Sequence, residues 1–226
     1  MTPRKQPRAK KAPPPPTPKT AKAWDVPPFP KRGDADSTTT YAAVGQALSA
    51  WELFERQLAN LFSSFVGDRN DELPALRAYG AIATFRGRVD MLRAAAEAHF
   101  AAVPNAHHER MIRKLLDTAQ NYSQRRNEIA HGFVNGWRPE GTPVSEHGYV
   151  LMPFMHAPRK ARFDASAVAP HSSPKRPLLR PTYLYSSAEI MVLCHRFQIL
   201  TQEAVHLPTT IFYERRRAEK LGLLRK

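Results

Sequence analysis

From residue 41 onward, apolar residues recur every three or four positions. Tyr41, Val44, Leu48, Trp51, Leu58, Phe62 and Phe65 trace the stripe of one long amphipathic helix. The cluster Ser37-Thr38-Thr39-Thr40 supplies its start, because a hydroxyl there accepts from backbone N–H groups that have no partner inside the helix. Gly67 to Asp71 reads as a loop, and Leu73 to Ala83 as a short mixed segment. A second helix is expected from Thr84 to Phe100, with Phe85, Val89, Leu92, Ala96 and Phe100 facing inward. Pro104 suits the first turn of a third helix. That helix runs through Ile112, Leu115, Leu116, Ala119, Tyr122 and Ile129, carries Arg126 on its inward stripe, and closes on Gly132 as a C-terminal cap.

The pattern changes over residues 133–185. Pro, Gly and Ser rise, and the apolar runs shorten to Tyr149-Val150-Leu151-Met152 and Tyr183-Leu184-Tyr185, which read as small β-strands in a loop-rich insertion. Ser186-Ser187-Ala188-Glu189 then forms a capping box, opening a helix through Ile190, Leu193, Phe197, Leu200 and Ala204 that stops near Pro208. The fold class is therefore all-α: a bundle of four to five helices, with a loop-rich insertion carrying short β-strands before the last core helix. Residues 1–36 read as a disordered basic tail, 37–207 as the helical domain with its 133–185 insertion, and 208–226 as a basic C-terminal helix or tail.

Charge sharpens this division. The net charge of +14 is concentrated at the two ends. Residues 1–33 carry nine Lys/Arg against one Asp, and 212–226 carry six against two Glu. Ten of the 21 prolines lie in residues 1–36, including Pro13-Pro14-Pro15-Pro16, so that segment cannot bury enough apolar surface to offset its ordering entropy. Such a tail either solubilises the chain or tethers it to nucleic acid by counterion release, in which case binding falls steeply with salt. The single cysteine, Cys194, rules out an internal disulfide framework and fits a reducing compartment. No apolar run approaches a membrane span and no secretory signal is visible, so no membrane association is expected and the location expected is cytoplasmic.

Candidate chemistry is confined to one place. His107 and His108 are adjacent and cannot share a helix face, and His147, His156 and His171 are irregularly spaced, so no metal and no cofactor is expected. Glu55 falls on the first helix's stripe, where an apolar residue belongs. A buried carboxylate needs a partner, and Arg125 or Arg126 is the candidate, unless Glu55 sits at the stripe's edge and reaches water. The run Arg125-Arg126-Asn127-Glu128-Ile129-Ala130-His131-Gly132 places arginine, amide and imidazole at the end of the third helix. With 23 arginines and nine histidines in the chain, about one Arg–x4–His pair arises by chance, so the spacing alone carries no information. The context carries it: a helix C-terminus, an Asn directly after the Arg, and an Ala130-His131-Gly132 ending; Asn127 and His131, four apart, also share a face.

Arginine presents a permanent forked charge suited to phosphate, and histidine exchanges a proton near neutral pH. With RNA as substrate, His131 would take the 2′-hydroxyl proton, Arg126 would face the charge developing on the phosphate oxygens, and Asn127 would orient phosphate or ribose. The same residues also have a purely structural explanation. Arg and His complement the negative end of a helix, and Arg126 would then simply neutralise Glu55.

The segment Arg126-Asn127-Glu128-Ile129-Ala130-His131-Gly132 closely resembles the signature of HEPN domains (higher eukaryotes and prokaryotes nucleotide-binding): an Arg, usually followed by a polar residue, with a His four to six residues on. Its place at the end of the third long helix, and the first-helix segment Trp51-Glu52-Leu53-Phe54-Glu55, are also similar to many members. The resemblance spans roughly residues 38–132 and 186–206; the insertion and the basic tails depart from it. It implies a helical homodimer whose motifs meet across the interface. It further implies a metal-independent ribonuclease, often a toxin or defence effector, with an antitoxin or a nucleotidyltransferase as the class of protein partner. Other members are noncatalytic RNA- or nucleotide-binding or dimerisation modules, which is the alternative expectation here. A third is a protein-interaction subunit docking through its Pro-rich tail. The spacing admits Arg125 as well as Arg126 as the phosphate ligand.

Overall fold

The computed structural model describes residues 21–66, 73–138, 143, 147–154, 163–168 and 179–222, with backbone alone for 163–168 and 179–180. Their order is α1 (Ser37–Val66), α2 (Leu73–Ala81), α3 (Phe85–Ala102), α4 (Ala106–His131), β1 (Gly132–Trp137), β2 (Gly148–Pro153), β3 (Phe163–Val168), β4 (Leu179–Pro181), α5 (Ser187–Ala204) and α6 (Leu207–Lys220). The protein is an all-α bundle with a small β insertion, as the apolar periodicity predicts.

Helix α1 is the centre, and each of the other five helices packs on it. Its Trp51 is fully enclosed, with ring centroids of Phe85 in α3 at 4.9 Å and Phe197 in α5 at 5.0 Å. Tyr122 of α4 meets Phe197 at 6.1 Å and extends the aromatic cluster. Truncating a side chain so enclosed costs about 3–5 kcal/mol. The expected stripe is rotated over the first half of α1. Tyr41 is exposed, and Ala43, Ala47 and Ala50 take the core positions instead. Alanine's small side chain lets α5 approach closely, and small residues are weak markers in an apolar pattern.

The helix boundaries differ from expectation where backbone chemistry overrides pattern. Thr84 is the N-cap of α3, its hydroxyl accepting from the Gly87 N–H. Asn105, rather than Pro104, opens α4, its side chain accepting from the His107 and His108 N–H groups. The Ser186/Glu189 capping box of α5 is present as read. Pro208 does not stop a helix but starts one: it occupies the first turn of α6, where its missing N–H costs nothing. Thus 207–220 is helix rather than tail, anchored by buried Leu207, Ile211 and Ala218. The mixed segment after Leu73 is the short helix α2, burying Ala75 and Tyr79.

Gly132 is the C-cap of α4 as expected, its N–H donating to the Glu128 carbonyl. Its backbone is extended (φ −76°, ψ 167°), not left-handed, and the chain passes straight from α4 into β1. Glycine is demanded there by crowding, since a Cβ would lie 2.8 Å from Leu151 Cγ and 2.9 Å from the Glu128 carbonyl. β1 pairs antiparallel with β2, from Gly132 opposite Pro153 to Trp137 opposite Gly148. On the other edge of β2, single bridges join Asp34 to Tyr149 and Leu151 to Tyr185. Tyr183-Leu184-Tyr185 is therefore not a strand of its own but a buried connection into α5. β3 and β4 form a second antiparallel pair.

The expected tail boundary at residue 36 moves. Within 21–36 the chain packs on the bundle: Trp24 lies edge-on to Tyr122 at 6.2 Å. Asp34 ties α5 to α1, accepting from the Ser187 N–H (2.8 Å), the Ser187 hydroxyl (2.7 Å) and the Thr40 hydroxyl (2.6 Å). One carboxylate thereby caps α5 and holds α1 beside it, a favourable place for negative charge. The polyproline run at 13–16, the loop at 67–71, His156 and His171 lie outside the described residues.

Candidate functional site

The two consecutive arginines of α4 have opposite fates, because neighbours on a helix point about 100° apart. Arg125 is buried, with its Nη2 2.9 Å from Glu128 Oε1 and its Nη1 3.4 Å from the Tyr185 hydroxyl. Tyr185 donates to Glu128 Oε2 at 2.5 Å, and Tyr183 donates to the Glu128 carbonyl at 3.2 Å. Burial first, then the charge of Glu128, holds the Tyr185 hydroxyl far above the ordinary tyrosine range, so it stays protonated and donates. This network fastens the end of α4 to the connection before α5.

Arg126 does not lie on the inward stripe as expected. It sits at the edge of the bundle, about a quarter exposed, with Nη2 3.2 Å from Glu52 Oε1 on α1 and Nη1 3.4 Å from Asn127 Oδ1. Asn127 and His131 are both exposed on one face of the last turns, and His131 is the final residue of α4. Arginine and amide are thus in direct contact, with the imidazole one turn beyond Asn127. The arrangement offers solvent a guanidinium, an amide and an imidazole from one rigid helix end.

Glu55 is buried and paired, but not with either arginine of α4. It accepts from Trp51 Nε1 at 2.6 Å and from Arg88 Nη1 of α3. Arg88 also donates through Nε to the Ile82 carbonyl at 2.9 Å, and its guanidinium lies over the Tyr79 ring at 5.4 Å. Burial, followed by the charge of Glu55, pushes the Tyr79 hydroxyl well above its ordinary value. Glu55 therefore joins α1, α2 and α3 behind the exposed motif and does not reach it. Sequence pattern could not have chosen Arg88 over Arg125 or Arg126, since all three are consistent with a cationic partner. Glu52 was also missed; as a polar residue off the apolar stripe it carried no signal of its own.

Grooves elsewhere do not include the motif. One of about 720 Å³ runs between α1 and α5 past Gly45, Ser49, Leu53, Cys194 and Gln198. Another of about 280 Å³ lies between α3 and α4, lined by Arg93, Glu97, Arg113 and Asp117. Among the described residues no helix is long and apolar enough to cross a membrane.

No protein-family model matches the chain, and comparison with curated proteins and with solved structures finds no significant relative.

Proposed function

We propose that this protein is a HEPN-type endoribonuclease that cleaves RNA without a metal, with Arg126, Asn127 and His131 as its working residues. The observation that carries the reading is the division of labour in α4: Arg125 is committed to a buried pair, whereas Arg126 sits partly exposed at the bundle edge beside Asn127, and Asn127 and His131 are exposed on one face.

RNA brings its own nucleophile. His131 takes the 2′-hydroxyl proton, the 2′-oxygen–phosphorus bond forms and the phosphorus–5′-oxygen bond breaks. The products are a 2′,3′-cyclic phosphate and a free 5′-hydroxyl. General base assistance of this type contributes about 10²–10⁴-fold, and Arg126 stabilises the charge that develops on the phosphate oxygens. Asn127, held by Arg126, orients phosphate or ribose. The leaving 5′-oxygen needs a proton, and this helix end offers one imidazole; a second copy of the chain would bring another. That requirement favours a homodimer with two such helix ends facing one another.

The test is incubation of full-length protein and its His131→Ala variant with total RNA in excess EDTA, mapping fragment ends. Cleavage by the wild type alone, leaving cyclic phosphates, is expected. Equal cleavage by both would overturn the assignment, and binding without cleavage would favour a noncatalytic RNA-binding module.

A further inference from the structure

Arg126 is already engaged. Its Nη2 rests against Glu52 Oε1 and its Nη1 against Asn127 Oδ1, while its Nε is buried with no hydrogen-bond partner among the described residues. Glu52 is well exposed, with 63% of its side chain accessible, and Arg56 stands exposed one helical turn further along α1. A guanidinium set against a carboxylate uses the same planar donors it would turn to phosphate. The residue read as the phosphate ligand is thus covered by an anion from its own chain.

Resting on the ribonuclease reading, we infer that Glu52 is a placeholder for phosphate: it occupies Arg126 in the free protein and must be displaced when an RNA phosphodiester binds. The exchange swaps one anion for another, so Arg126 keeps an ionic partner throughout and its position on α4 is preserved. The released carboxylate has a destination. Glu52 and Arg56 are spaced i to i+4 with the acid nearer the helix N-terminus, the favoured order for an ion pair on a helix. Because Glu52 is exposed, its hold on Arg126 is weak, and it tunes affinity without blocking the site. It also favours polyanions, since a single small anion gains little over a carboxylate already in place.

The experiment measures binding of a 2′-O-methyl RNA oligonucleotide, which lacks the attacking hydroxyl, to full-length protein by fluorescence anisotropy at fixed salt. Four proteins are compared: wild type, Glu52→Gln, Arg126→Ala and the double variant. Glu52→Gln is expected to tighten binding about two- to fivefold, the range set by a solvent-exposed ion pair. Arg126→Ala is expected to weaken it, and Glu52→Gln to have no effect in the Arg126→Ala background. Tightening that persists in that background would mean a general charge effect and would overturn the placeholder role. So would unchanged or weaker binding by Glu52→Gln while Arg126→Ala still weakens it, an outcome that leaves the RNA site standing. Unchanged binding by Arg126→Ala would remove both readings together. Thermal melts of the four proteins separate these outcomes from loss of fold.

Discussion

Replacing Arg125 by alanine removes a guanidinium lying 2.9 Å from the carboxylate of Glu128, with both side chains enclosed by the fold. Tyr185 would go on donating to Glu128, but the buried negative charge would lose the cation beside it. Removing one partner of a buried pair costs about 3–5 kcal/mol. For a chain of this size each kcal/mol lowers Tm by roughly 2–4 °C, so a fall on the order of 10 °C is expected. Arg126→Ala removes a pair whose acid is well exposed, worth about 0–1 kcal/mol, and should shift Tm by no more than about 4 °C. On activity the order reverses. Loss of a charge-stabilising donor costs about 10²–10³ in kcat, so Arg126→Ala should be stable and nearly inactive. The folded fraction of Arg125→Ala should retain cleavage below its melting temperature. Differential scanning calorimetry and cleavage of a defined RNA, each on both variants, make the test. A stable but inactive Arg125→Ala beside an unstable but active Arg126→Ala would refute the assignment of the two arginines.

Asp34→Ala deletes an acceptor that serves the N-terminus of α5, the Ser187 hydroxyl and the Thr40 hydroxyl at once. Loss of a charged cap with these bonds should cost about 1.5–3 kcal/mol, and an unchanged denaturant midpoint would show that residues 21–36 do not fasten the bundle. His99 of α3 is buried against Phe65 and Phe100, with Glu214 at 3.9 Å, and Arg215 and His108 near by. Burial outweighs the attraction of Glu214, and with Arg215 opposing charge as well, it lowers the affinity of His99 for a proton. The unfolded chain then binds more protons than the folded one, so this contribution is complete above the ordinary value of 6.5 and is lost as pH falls through the depressed folded value. Thermal scans across that range should show a steeper loss in wild type than in His99→Phe, and parallel curves would exclude His99 as the source.

Sequence alone determined the helical class, the long first helix, the capping box at Ser186 and the motif at the end of α4. It could do so because helix periodicity, caps and short motifs are local, written within one or two turns. Glu55 was legible as a carboxylate on an apolar stripe, a local fact, but whether it was buried or reached water at the stripe's edge was left to the packing. What tertiary structure decided is every pairing across elements: Arg88 for Glu55, Glu52 for Arg126, and Tyr185 for the Arg125–Glu128 pair of α4. It also decided that α1 turns alanines to the core and that Asp34 caps a helix 153 residues away. These depend on which helix faces meet and at what angle, and a single charged residue carries no mark of which opposite charge it will meet. The two arginines of α4 show this most simply. They are identical in type and adjacent in sequence, and only the packing of a connection some sixty residues later makes one a buried strut and leaves the other at the bundle edge against Glu52.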